Sequence, residues 1–227
     1  MKLSVIVPVY NEKDTIEKIV EAVLAVPIEK EIVIVDDGSI DGTRELVKKY
    51  FFNRRDFKVI FHDKNRGKGK AVETGIRAAS GDAIIIQDAD LEYDPMDYLK
   101  LLTALEKNGF NVVYGSRFLE KKKVTAPWHR FVNYFLTMVT NVLFSSNLTD
   151  METCYKLFRA PLIKKLDLRS EGFEIEVELT SKVLKLGEKI MEVPISYKGR
   201  SFHEGKKIGW KDGFKALFTL IHYRFAD

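Results

Sequence analysis

Short Val/Ile-rich runs alternating with amphipathic stretches predict an α/β fold with a doubly wound, mostly parallel sheet flanked by helices. Three observations carry the prediction. The apolar runs lack the period-two alternation of a half-exposed strand, as expected where helices cover both faces of a sheet. Helical patterns separate them, which is the arrangement of right-handed strand–helix–strand crossovers. Acidic and glycine-containing clusters follow the runs, at the carboxyl edge where open sheets of this kind bind ligands.

The elements follow in order. Strands are expected over 3–9, 31–36, 57–62, 83–87 and 111–114, and helices over 15–26, 43–51, 68–79 and 95–107. Asp41 and Asp94 stand where a helix N-cap is wanted, and Pro95 fits a first turn because its missing N–H would have no partner there. Beyond Ser116 the pattern changes. A charged loop at Lys121–Lys123 precedes an amphipathic helix over 127–144, then a loop over 150–156, a helix over 173–186 and a strand over 189–195. A basic loop leads to a last helix over 210–224, where Trp210, Phe214, Leu217, Phe218 and Ile221 fall on one face at helical spacing. Without repeats or low-complexity linkers, residues 1–227 read as one domain with an elaborated C-terminal third.

Composition narrows the class. With 45% hydrophobic and 31% charged residues the chain is ordinary globular material, and its single cysteine, Cys154, excludes an internal disulfide and a Cys-based metal cluster. No run reaches the ~18 unbroken apolar residues of a spanning helix, and the chain enters its first strand with no charged-then-apolar leader. A cytoplasmic location is the expectation. The net charge of +4 is concentrated at the end: residues 198–227 hold seven Lys/Arg against three acids, which points to an anionic partner there.

The strongest chemical signal follows the fourth strand, in Ile84-Ile85-Ile86-Gln87-Asp88-Ala89-Asp90-Leu91-Glu92. If strand geometry continued, Asp88, Asp90 and Glu92 would point the same way, since side chains alternate with period two. Clustered acids repel unless a cation neutralises them, and oxygen ligands favour Mg²⁺ or Mn²⁺. The second strand ends in Asp36-Asp37-Gly38, suited to hydrogen bonding a base or ribose, and the first ends Pro8-Val9-Tyr10-Asn11-Glu12 on the same crevice. A dinucleotide-binding Rossmann enzyme is excluded, because no Gly-x-Gly-x-x-Gly follows the first strand, and Gly67-Lys68-Gly69 lacks Walker spacing. His62, His129, His203 and His222 are too scattered to suggest zinc.

Together SVIVPVYNE, VIVDDGSIDGT, NRGKGKAVETGI and IIIQDADLE resemble the nucleotide-binding half of family 2 glycosyltransferases, over about residues 1–117. The second half resembles the polyprenyl-phosphate hexosyltransferases, dolichol-phosphate mannose synthases among them. It does so through Arg130 with Asn133, Thr149-Asp150 to Cys154-Tyr155-Lys156, and Arg200 followed by His203 to Ile208, Trp210 and Asp212-Gly213. The resemblance implies a GT-A fold, with a nucleotide-sugar half over 1–117 and an acceptor half over 118–227. It also implies inverting transfer of a hexose, mannose foremost, from a nucleotide diphosphate sugar, GDP-mannose ahead of UDP-glucose, to a polyprenyl or dolichyl phosphate. By the same resemblance Pro8, Tyr10, Glu12, Val35 and Asp37 contact the nucleoside. Asp88, Asp90 and Glu92 hold the metal, although relatives often carry Gln at the position of Glu92. Arg117, Arg130, Arg200 and Lys206 handle phosphates, and no nucleic acid is implied. Many relatives continue into transmembrane helices and this chain stops at Asp227, so bilayer contact is expected to be peripheral, on the cytoplasmic face.

Physical chemistry adds the roles. Departure of the diphosphate builds negative charge, which a divalent cation and guanidiniums stabilise. A phosphate acceptor is already largely dianionic, so it needs cations beside it rather than a base. Asp150 is the candidate base for a sugar-hydroxyl acceptor and otherwise orders the acceptor loop. The amphipathic helices over 130–144 and 210–224 suit the headgroup region of an anionic membrane or, alternatively, packing on the sheet. A nucleotide- or lipid-binding accessory subunit without catalysis is the alternative from another class.

Overall fold

A computed structural model describes residues 1–107, 109–119, 127–200 and 210–226. Its centre is a seven-stranded sheet in the order β3-β2-β1-β4-β6-β5-β7. The strands are β1 (Leu3–Val9), β2 (Lys30–Asp36), β3 (Phe57–Phe61), β4 (Ala83–Ile86), β5 (Val112–Ser116), β6 (Lys156–Arg159) and β7 (Ile190–Pro194). Parallel pairing joins β3, β2, β1 and β4, with Val5 opposite Ile32 and Ile85, for example. The apolar side chains of β1, β2 and β4 are buried on both faces of the sheet, which explains their continuous Val/Ile runs.

Helices α1 (Ile16–Ala25), α2 (Thr43–Tyr50), α3 (Lys68–Ala78) and α4 (Tyr98–Lys107) cover the sheet, with a single 3₁₀ turn at Pro95–Asp97 before α4. Asp94 caps that turn by accepting from Met96 N at 2.9 Å. The start of α2 differs from the sequence expectation by one residue. Gly42 is the N-cap, in the left-handed region at φ 100°, and Asp41 reaches past it to accept from Thr43 N and Oγ1. Gly75 lets α3 lie directly on β1, because a Cβ there would come within 2.4 Å of Ile6.

The second half departs further. β6 was not expected, yet it lies centrally and runs antiparallel to both β4 and β5. The strand has only four residues, Lys-Leu-Phe-Arg, and the charges at both ends hide its two apolar side chains from any pattern search. α6 (Ala160–Ile163) turns away from it, and α7 (Ile175–Lys185) leads back to β7.

The long helices α5 (Pro127–Phe144) and α8 (Trp210–Phe225) pack with α7 rather than on the sheet. Leu136, Met151, Val177, Ala216 and Leu220 form a second core there. Of the stripe read on one face of α8, Phe214 is 68% exposed and Phe218 73%, whereas Ala216 and Leu220, outside the stripe, are buried. Small or aliphatic residues suit the close helix contact, so the aromatics are left on the other side. Among the described residues no helix is long and apolar enough to cross a membrane.

Candidate active site

The carboxyl ends of β1, β2, β4 and β5 open into a cavity of about 980 Å³, roofed by the starts of α5, α7 and α8. Pro8 and Tyr10 line it where β1 ends. Val35 does not. Its side chain is fully buried with Val33 and Ala71, inside the sheet–helix layer rather than at the crevice. Asp37 lines the cavity but is heavily engaged: it accepts from Arg66 N and Gly67 N and pairs with His62 Nδ1 at 2.6 Å. It thereby fixes the turn into α3. Gly67 is required in that turn, since its φ is +92° and a Cβ would come within 2.3 Å of Glu171 O.

The acidic corner is arranged differently from a continued strand. β4 ends at Ile86, and Leu91 takes a left-handed φ of 62°, which breaks the alternation that would have aligned the three acids. Glu92 turns to Tyr197 OH at 2.7 Å and Arg200 N at 2.6 Å. Among the described residues no three His, Cys, Asp or Glu side chains converge to hold a metal ion by themselves, so the expected three-carboxylate clasp is not formed. Asp88, Asp90 and Glu92 all line the cavity, with Glu92 already bonded to Tyr197 and Arg200.

Asp88 and Asp90 are held by cations of the chain. Lys68 Nζ lies 2.7 Å from Asp88, and Arg200 lies 3.3 Å from Asp90 and 3.2 Å from Glu12. The Asp90 carboxyl is nevertheless pushed up to about 7, first by burial and then by the charges of Asp88 and Glu92, with Arg200 opposing. A carboxylate pair under such strain, facing an open cavity, fits a hard divalent cation. Mg²⁺ or Mn²⁺ would take oxygens from Asp88 and Asp90 and complete its shell with substrate phosphate.

Arg117 stands on the opposite side, forked onto Asp150 through Nε and Nη2 at 2.7 Å each and stacked 5.1 Å from the Tyr197 ring. Both Asp150 oxygens are taken by Arg117, and its N–H is held by Glu192. The carboxylate is fully buried and so positioned to fix the loop. Arg130 is not brought to the cavity. It is exposed and lies one helical turn before Tyr134, itself 68% exposed, on the outward side of α5. Lys206 lies outside the described residues, as do Lys121–Lys123 and the segment from His203 to Ile208.

A family model described as "Glycosyl transferase family 2" matches residues 4–167. The chain belongs to this family. It is 32% identical over 98% of its length to the dolichol-phosphate mannosyltransferase of Pyrococcus furiosus, of which it spans 62%. It is 27% identical over 99% of its length to the dodecaprenyl-phosphate galacturonate synthase of Rhizobium johnstonii, covering 67% of that protein. Among solved structures, glucosyl-3-phosphoglycerate synthase of Mycobacterium tuberculosis, in complex with Mn²⁺, UDP and phosphoglyceric acid, superimposes with a TM-score of 0.72. That match covers the whole of this chain and 79% of the other at 19% identity, and it shows a shared GT-A fold.

This family 2 chain also holds groups that sequence reasoning gave no role. Lys68 bridges Asp88 and Glu176, and Glu176 in turn pairs at 2.5 Å with Lys156, which is wholly buried. The result is an alternating chain of charges under the cavity floor, in which each buried ion has an opposite neighbour. Lys68 and Lys156 fall in motifs visible in sequence, but nothing there gave either a charge partner, and Glu176 sits in a stretch that reads only as helix. Glu152 and Cys154 line the same floor, and Asn133 lines the wall contributed by α5.

Proposed function

We propose that the chain transfers a hexose, mannose foremost, from a nucleotide diphosphate sugar to a polyprenyl or dolichyl phosphate, using Mg²⁺ or Mn²⁺. The observation that carries this reading is one cavity with two unlike ends. Asp88, Asp90, Arg117 and Arg200 line one part, while Phe131, Phe135 and Phe214 line another. A diphosphate and a phosphate suit the first, and a prenyl chain suits the second.

In this reading Pro8, Tyr10 and Glu12 border the nucleoside, and Asp37 shapes its pocket from below. The metal, held by Asp88 and Asp90, supplies charge stabilisation to the diphosphate. Arg117 and Arg200 draw the acceptor phosphate beside it, since a guanidinium stays charged and grips phosphate oxygens in a fork. An oxygen of that phosphate forms a bond to the anomeric carbon while the bond to the diphosphate breaks and its electron pair leaves with the nucleotide. No proton has to be removed from the acceptor, which agrees with Asp150 being fully engaged by Arg117. Asp150 therefore orders the loop rather than serving as a base.

GDP-mannose is the first choice of donor and UDP-glucose the second. The mannosyl and galacturonosyl relatives support a lipid-phosphate acceptor more strongly than any one sugar. The outward aromatics of α5 and α8, with Lys215 and Arg224 beside them, support peripheral contact with an anionic membrane at its cytoplasmic face. The test is incubation with Mn²⁺, radiolabelled GDP-mannose or UDP-glucose, and a short polyprenyl phosphate. Label should move into the organic phase. Retention of all label in the nucleotide with every donor would overturn the reading and favour an accessory binding subunit.

A further inference from the structure

Two side chains lining the cavity carry buried polar atoms that have no hydrogen-bond partner. Asn133, only 7% exposed, leaves both Nδ2 and Oδ1 without a partner, and Glu152 Oε1 is in the same condition. They come from different elements but line the same cavity, Asn133 on the wall and Glu152 on the floor. Met151 N donates to Thr137 Oγ1 at 3.1 Å, which pins the loop carrying Glu152 one helical turn from Asn133 on the same face of α5. Buried polar groups are rarely left bare, and those that are call for an explanation such as a ligand.

The chemistry of the pair restricts that ligand. The amide offers two donors and an acceptor, and the carboxyl offers acceptors. A phosphate would be repelled by Glu152 wherever that carboxyl is ionised and would offer the Asn133 oxygen no donor, and a prenyl chain would leave both groups unsatisfied. Hydroxyls, each a donor and an acceptor, match both. Glu152 also lies within electrostatic range of Arg117 and Asp150 on one side and of Lys156 and Glu176 on the other. Since Lys68 joins Glu176 to Asp88, this places it on the floor between the acidic corner and the arginine.

We propose that Asn133 and Glu152 read the hydroxyls of the transferred sugar, and that Glu152 selects a neutral hexose against a hexuronate. The proposal rests on the donor reading given above and names a specificity determinant within it. Above about pH 7, where the Glu152 carboxyl is ionised, a sugar bearing its own carboxylate would meet a like charge on this floor, the repulsive element that discrimination commonly uses.

Calorimetry with Mn²⁺ at about pH 8.5, where the Glu152 carboxyl is ionised, tests it, using two matched series: GDP, GDP-mannose and GDP-mannuronate, and UDP, UDP-glucose and UDP-glucuronate. In the series the protein accepts, the neutral sugar should tighten binding over the bare nucleotide by about tenfold, and the uronate should not. Asn133→Leu, which replaces an unsatisfied amide with an apolar group of similar size, should lose most of that gain. Its affinity for the bare nucleotide and its melting temperature should not fall. Glu152→Gln should narrow the preference for hexose over hexuronate by about tenfold at equal nucleotide affinity, since it removes only the charge. If both variants keep the full sugar gain and the full preference, or lose nucleotide and nucleotide-sugar binding in equal measure, this assignment is overturned while the donor reading stands. If the wild-type protein binds no nucleotide in either series, the donor reading falls and takes the assignment with it.

Discussion

The two walls of the cavity are built on opposite terms. On the sheet side, each oxygen of Glu12, Asp37, Asp88, Asp90 and Glu92 has a partner within the chain, Lys68 and Arg200 among them. On the helical side, the Asn133 amide has none, and several aromatics of α5 and α8 face out. The difference teaches where each wall is finished. The sheet edge gives each carboxylate oxygen a partner in the chain while leaving its acids crowded enough to suit a cation, whereas the helical wall leaves an amide with no partner at all.

That contrast can be broken most severely at the acidic corner. Asp90→Ala should lower transfer on the order of 10³-fold, the scale expected when charge stabilisation of a leaving group is lost, with little change in fold. Radiolabelled transfer checks it, and near-normal turnover would refute the metal assignment. Next comes Asp150→Ala, which strands the buried Arg117 guanidinium. Breaking a buried pair in this way costs about 3–5 kcal/mol, readable in a urea titration.

A smaller effect sharpens the contrast through pH. Burial, with the charge of Glu176 adding to it, pushes the Glu152 carboxyl up to about 7 although Lys156 opposes. The folded state then holds a proton that the unfolded chain has already released, so this group lowers stability as pH rises from about 4.5 to 7. Glu152→Gln should remove that slope, gaining up to about 3 kcal/mol relative to wild type across the window. An unchanged pH profile would mean that the carboxyl is not buried as described. The smallest expected effect is on the outer face. Phe218→Ser should change stability by less than about 0.5 kcal/mol, since the side chain is 73% exposed, yet weaken binding to anionic liposomes at low salt. Full liposome binding by this variant would remove α8 from the membrane contact.

Much of the parallel half was legible because its signals are local. A buried parallel strand needs a continuous apolar run, a helix needs its period, and a turn needs its glycine or capping acid, so strands 1 to 5 and helices 1 to 4 could be read in order. The acidic pair Asp88 and Asp90 was legible for the same reason, as the end of such a run. The four-residue β6 was not, since a strand that short and bounded by Lys156 and Arg159 carries no periodicity, and its place between β4 and β5 comes from pairing partners far away in the chain.

The remaining decisions belong to three-dimensional neighbourhood. The left-handed Leu91 turned Glu92 away from its neighbours, helix packing put Phe214 and Phe218 outside, and the rotation of α5 carried Arg130 off the cavity while turning Asn133 into it. Residue order by itself determined which elements form and which chemical groups reach the sheet edge. Only the tertiary structure decided which of those groups are already satisfied, because a hydrogen-bond partner or a burying surface is supplied by whatever packs alongside.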